Sequence, residues 1–297
     1  MSRWNEEWVS GAMPPVVDLH LHTTASDGLL SPADLIKCVA STGLRMVAVT
    51  DHDSTEGLDE AFAAAASFPD LTLIPGVELS TSISDSEVHM VGLFIDYRDE
   101  ELQERLEHFR SRRERSIRES VEKLNELGIG ITFERVKELS KGSIGRPHIA
   151  DALIEAGHVS GRDEAFEKYL GDDGPARTKK THTKTAEGID LIHSVGGVAV
   201  IAHPRTVKSL DEVLPAMVEE GIDGIEIFAE KYGKEDRERY AGLARDHGLV
   251  PAGGSDYHAK GSDDEILPGN GGMSGPTMSA VEELRERAEA HHSQAAT

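Results

Sequence analysis

Histidines and acidic residues recur in this 297-residue chain where a short apolar run has just ended. The first such run closes as Asp18-Leu19-His20-Leu21-His22. Side chains alternate along a strand, so Asp18, His20 and His22 should share one face and the leucines the other. Two imidazoles leaving one strand end can chelate a single cation through nitrogen. A His-x-His pair alone is equally compatible with an exposed edge strand carrying incidental histidines. Its company changes the reading. Asp27 follows in Ser26-Asp27-Gly28, and Thr50-Asp51-His52, Gly76-Val77-Glu78, Ala202-His203-Pro204 and Ser255-Asp256-Tyr257-His258 each close a later run. Charged groups gathered in one place are costly to bury unless paired or metal-bound.

The runs that must position these residues cover 16–22, 46–52, 71–78, 88–94, 198–203, 224–228 and 249–256. Helical patterns separate most of them. Ser31-Pro32-Ala33-Asp34 reads as a helix start, with a Ser cap, Pro in the first turn and an acid near the positive dipole end; Gly43 closes that helix. Such alternation implies a largely parallel sheet, and about seven units suggest an α/β barrel. Its strand C-termini then form the active face.

One connection departs from this plan. Only residues around 81–86 join the third and fourth runs, too few for a parallel crossover, so the join should be a hairpin. That puts His89 beside Glu78. Between about 99 and 183 the strand signal vanishes. Leu102, Leu106, Phe109, Ile117, Val121, Leu124 and Leu127 mark one face of a long helix closed by Gly128. Shorter helices are expected around 134–139, 147–156 and 163–170. The expected organisation is a barrel from 14–98 and 184–290 with a small all-helical insertion at 99–183, and frayed ends before about 13 and after about 289.

A formal net charge of −23 excludes duplex DNA binding through a broad basic surface, though a small phosphorylated ligand can still be held by metals and a few Arg. The single Cys38 reads as a small core residue and rules out an intramolecular disulfide. Nothing resembles a membrane span or a signal peptide, so the expected location is cytoplasmic with no membrane partner.

The ordered set of His-x-His, Thr-Asp-His, Gly-Val-Glu, Glu-Val-His, Ala-His-Pro and Ser-Asp-x-His resembles the polymerase and histidinol phosphatase (PHP) family of phosphoesterases, from about residue 16 to 260. The resemblance implies a distorted (β/α)7 barrel holding two or three divalent cations, with manganese, iron and zinc all suited to mixed nitrogen and oxygen donors. It implies that His20, His22, Glu78 and Asp256 hold the first cation, and that Glu78 bridges to a second completed by His89 and His203. Asp27, His52 and His258 would hold a third. Asp18 and Asp51 would orient imidazoles. A shared carboxylate suits two-metal hydrolysis, in which a water made acidic by the metals attacks phosphorus.

Within the insertion, Gly145-Arg146-Pro147-His148 places Arg146 and His148 around a positive helix end, an anion site in kind. In the relatives it resembles, this motif helps bind substrate phosphate. Arg205 is a further candidate, and the basic residues of 177–182 weaker ones. The alternating charges of 110–118 read as a solvated face. His108, His158, His193 and His247 read as surface or capping residues, and Glu226 has no assigned role. The expected activity is hydrolysis of nucleotide phosphate esters: the 3′-phosphate of a nucleoside 3′,5′-bisphosphate, 5′-to-3′ cleavage of short oligonucleotides, or both. A histidinol-phosphate phosphatase, an amidohydrolase and a non-catalytic metal-dependent nucleotide-binding module are the competing readings. No Lys stands at a barrel strand end to bridge metals as amidohydrolases commonly require. The sequence is silent on oligomeric state.

Overall fold

The computed structural model describes residues 16–171, 173–178, 183–229, 232–261, 265, 267–268 and 277–295. Strands β1 (Val17–Asp18), β2 (Met46–Val49) and β3 (Thr72–Ile83) are parallel neighbours, joined by helices α1 (Pro32–Ala40) and α2 (Leu58–Ala65). Ser31 caps α1 by accepting the Asp34 N–H at 3.2 Å, and Gly43 leaves it at φ +88°. Cys38 is half-buried against the core between α1, α2 and the sheet, as expected.

β4 (Ser86–Leu93) folds back antiparallel on β3, with register from Gly76↔Leu93 to Ile83↔Ser86. The hairpin is tighter than the sequence suggested. Only Ser84 and Asp85 turn, and Ser84 takes φ +51° to do so. Ser80 pairs with His89, so His89 is the diagonal neighbour of Glu78 on the same face.

The insertion follows as α3 (Glu100–Glu126), α4 (Phe133–Leu139), α5 (Arg146–Glu155) and α6 (Arg162–Ala165), the last continuing into a π-helical turn, Phe166–Leu170. α3 serves two cores. Leu102, Leu106 and Phe109 pack with Val77, Leu79, Met90 and the later barrel helices. Ile117, Val121 and Leu124 pack instead with Ile131, Phe133, Val136, Ile149 and Leu153. The helical region therefore has an apolar core of its own, and α3 links it to the barrel.

β5 (Thr183–Lys184) adds to the end of β3, and α7 (Thr185–Ser194) leads to β6 (Val198–Ile201), antiparallel to β4. With α8 (Leu210–Glu219) and α9 (Lys234–His247) as crossovers, β7 (Gly224–Phe228) and β8 (Val250–Gly253) complete the order β1-β2-β3-β4-β6-β7-β8. The ends nearly meet. Leu19 N–H donates to Gly253 O at 3.3 Å, and Leu21 bridges to Tyr257 in parallel. The result is a nearly closed seven-strand barrel. Helix α10 (Met278–Ala295) packs Ala280, Val281, Leu284 and Ala288 against Val17, Ala48, Ile74, Val91 and Val250. It continues past residue 289, where a frayed end was expected, with His291 Nε2 3.1 Å from Asp223 Oδ1.

Two expectations about the first strand need correction. It is regular only at Val17–Asp18, not over 16–22. Strict alternation also fails. Val17 and Leu19 lie in the interior cluster, whereas Leu21 packs outside with α1 and α2. The physical reason is that Leu21 N–H turns to the Thr50 Oγ1 at 3.2 Å, and the ladder gives way to loop contacts.

Candidate metal centre and substrate cavity

Glu78, on β3 and fully buried, is the hub. Its Oε1 lies 2.9 Å from His89 Nδ1 and 2.9 Å from His203 Nε2, both in hydrogen-bond geometry. Its Oε2 lies 2.9 Å from His52 Nδ1, 3.2 Å from His20 Nε2 and 3.3 Å from His22 Nε2. These three short contacts are not hydrogen bonds. Oε2 and all three nitrogens are buried atoms without a hydrogen-bond partner. Buried polar atoms are rarely left so, and here they converge on common points, as the donors of cation sites must. The donor set fits metal ions.

Asp256 Oδ1 stands 3.1 Å from His22 Nε2 and 3.5 Å from His20 Nε2. Asp27 completes a neighbouring group, 3.2 Å from His258 Nε2 and 3.8 Å from His52 Nε2. Within this centre His22, Asp27, His52 and His258 can each turn one donor atom toward one position, and so can His20, His22 and Glu78, and His52, Glu78 and His89. The structure thus brings together all nine residues that the sequence nominated. His203 and Asp256 adopt φ +27° and +53°, and Asp53 φ +50°. Such backbone is strained for a residue with a Cβ, and it persists where surroundings over-determine it, characteristically at functional sites.

Electrostatics follow from this crowding. Burial pushes the Glu78 carboxyl up, but His52, His20 and His89 outweigh it and hold the group well below the usual range. Burial pushes His22 down, yet Asp256 and Glu78 raise it to about 10, and His89 rises to about 9 against Glu78 and Glu87. His52 goes the other way, to about 4, because burial outweighs Glu78 and Asp27 and Arg113 adds to it.

The supporting residues differ from expectation. Asp18 does not touch an imidazole. Its Oδ1 accepts the Ser255 N–H at 2.9 Å and the His20 N–H at 3.3 Å, fixing the backbone on which Asp256 stands. Gly254 is needed there, since a Cβ would lie 2.4 Å from His20 N. Asp51 acts one step removed, accepting from Thr23 and from Ser26 Oγ, which lies 3.5 Å from His22 Nδ1. The residue left without a role does the orienting. Glu226 Oε1 takes His20 Nδ1 at 2.9 Å, and Oε2 accepts the His203 N–H at 2.5 Å.

A cavity of about 220 Å³ opens from Asp27, His52 and His89 toward the insertion, with Arg112, Arg113, Arg115 and Arg146 on its wall and Phe109, Ile117 and Phe166 as apolar surface. The expectation of a solvated face at 110–118 fails here at Arg113. Arg113 is largely buried, its Nε 2.9 Å from Asp53 Oδ2 and its Nη2 2.6 Å from Ser80 Oγ. A signal was present: Phe109, Arg113 and Ile117 fall on one helical face, so arginine interrupts the apolar stripe at a buried position. Arg146 reaches Leu170 O at 3.2 Å and lies 5.8 Å from the Phe166 ring centroid. His148 is buried beside a separate shallow pocket with Asp151 and Arg162, and its Nδ1 accepts the Gly145 N–H at 3.0 Å. Arg205 is exposed and 3.8 Å from Asp236. Arg177 pairs with Glu87 at 2.7 Å, while Lys179, Lys180 and His182 lie outside the described residues.

The PHP domain model matches residues 18–171, more than half of the chain. A 5′-3′ exoribonuclease of Haemophilus influenzae is 35% identical over 81% of this chain and 89% of its own length. The chain belongs to the PHP family. A second relative, the 3′,5′-nucleoside bisphosphate phosphatase of Chromobacterium violaceum, is 34% identical over 82% of this chain and 88% of its own. The PHP fold agrees as well. The crystal structure of a Bifidobacterium adolescentis protein proposed to be a metal-dependent phosphoesterase superposes with a TM-score of 0.81 at 34% identity, covering 93% of this chain and 98% of that one. Among the described residues, no helix is long and apolar enough to cross a membrane.

Proposed function

We propose that this PHP enzyme hydrolyses the 3′-phosphate of nucleoside 3′,5′-bisphosphates and trims short oligonucleotides from the 5′ end. The chain is a metal-dependent phosphoesterase. One observation carries the proposal: a single cavity is lined by Asp27, His52 and His89 of the Glu78 cluster and by Arg112, Arg113, Arg115 and Arg146, with Phe109, Ile117 and Phe166 as apolar surface. That lining suits a ligand with more than one anionic group and a flat apolar body. The relatives named for oligonucleotide and bisphosphate substrates support it.

His20, His22, Glu78 and Asp256 would hold one cation, Glu78 with His89 and His203 a second, and Asp27, His52 and His258 a third. Manganese, iron or zinc suits these donors. Bound there, divalent cations supply an acidified water and neutralise phosphate charge. The protein's own share is positional. Glu226 presents the Nε2 edge of His20, and Asp18 sets the loop of Asp256. Arg146 would receive the distal phosphate, a charge-assisted contact, and Arg113, held by Asp53, would add positive charge nearer the ligand cluster. The overall negative charge of the chain disfavours long duplexes. We place it in the cytoplasm.

The test is an assay of manganese-loaded protein on adenosine 3′,5′-bisphosphate, following phosphate and nucleotide together. Release of 3′-phosphate to leave 5′-AMP is the expected result. No turnover of the bisphosphate or of short RNA, alongside turnover of histidinol phosphate, would move the substrate assignment there.

A further inference from the structure

We propose that His193, Asp223 and His291 form a further cation site, for one Zn²⁺ or a similar transition metal, that ties α10 to the barrel. It is independent of the catalytic reading. Asp223 immediately precedes β7, so the group sits at the end of the barrel opposite the Glu78 cluster.

His193 lies in the last turn of α7, and His291 near the end of α10. Their rings stack with centroids 3.7 Å apart and planes 15° apart. Both Nε2 atoms face one carboxylate, His193 at 2.8 Å from Asp223 Oδ2 and His291 at 3.1 Å from Oδ1. All three residues offer a donor atom within 4.8 Å of the others. Two imidazole nitrogens and one carboxylate oxygen form a donor set that zinc accepts, with a fourth position left for water. The site is prepared as metal sites are. The carboxylate is nearly buried and its Oδ2 is fixed by the Ala199 N–H at 2.9 Å, while the imidazoles keep 21% of their side-chain surface open to solvent. The nearby Arg287 guanidinium is directed to the Asp223 carbonyl oxygen at 3.0 Å and to Glu283. The sequence hid this group, because its members are far apart in the chain and only one of them, His193, stood out, read as a surface or capping residue.

Protons alone could satisfy the same contacts, each ring donating to the carboxylate, so the experiment must count metal. The intact, tag-free chain and the variants His193→Gln and His291→Gln are loaded with zinc, freed of excess by gel filtration, and assayed for metal content and thermal unfolding with and without EDTA. The expected result is about one zinc fewer per chain in each variant and a smaller EDTA-induced fall in Tm, with hydrolysis unchanged. His291→Gln changes only an outer helix and carries the comparison if His193→Gln folds poorly. Equal zinc content in all three proteins would overturn the site and leave a hydrogen-bonded staple.

Discussion

Glu226 lies 2.9 Å from Nδ1 of His20 and so fixes which edge of that ring faces Glu78. A neutral imidazole donates from one nitrogen and accepts or ligates through the other. With Nδ1–H given to Glu226, the unpartnered Nε2 would be the ligand. The same carboxylate holds the His203 backbone at its strained φ. Replacing it with Gln should lower metal affinity or turnover by about 10- to 100-fold without unfolding the chain. Metal titration of Glu226→Gln matching wild type would count against this.

Glu78 touches five imidazoles, so its loss should be total rather than graded. Glu78→Gln keeps the volume but removes the charge that binds the cluster together. Turnover should fall below detection and metal content should drop. An active, fully metallated Glu78→Gln would defeat the assignment.

Metal uptake should release protons. In the metal-free protein the pKa of His22 is raised to about 10 and that of His89 to about 9, so both are protonated at pH 7–8. A ligating imidazole must be neutral, so each cation displaces protons. Calorimetric titration in buffers of different ionisation enthalpy measures this directly. Heats independent of buffer would contradict it.

Arg113 and Asp53 make a testable buried pair. Burial alone would raise the Asp53 carboxyl, but Arg113 and the Ser80 N–H hold it below the usual value. A depressed carboxyl stabilises the fold above its unfolded pKa of about 3.9, and that contribution is lost as pH falls through the folded value. In Arg113→Met the carboxyl keeps its burial without its partner, at a cost of about 3–5 kcal/mol near neutrality. The deficit should shrink as pH falls into the carboxylate range and the group protonates. A deficit constant with pH, measured by urea unfolding, would show that packing rather than charge sets it.

Arg146→Ala should chiefly raise KM for bisphosphates, by about 10- to 100-fold, the worth of a charged hydrogen bond of about 1.5–3 kcal/mol. A 3′-monophosphate should be affected much less. Equal losses on both substrates would place Arg146 outside the distal-phosphate pocket.

The chain by itself determined the ligand types, the strand ends that carry them and the helical interruption, because a metal cluster demands residue types that are costly elsewhere and so stand out as local motifs. The hairpin that brings His89 to Glu78 was legible for a similar reason: too few residues lie between the strands for any other connection. What only the tertiary structure decided are pairings between residues distant in the chain. Glu226 meets His20 across the barrel, Arg113 turns inward because Asp53 and Ser80 await it, and His193 finds Asp223 and His291 through three separate elements. Each of these is a single ionisable residue in an ordinary helical or strand pattern. Its partner is chosen by closure of the barrel, and no local spacing records that choice.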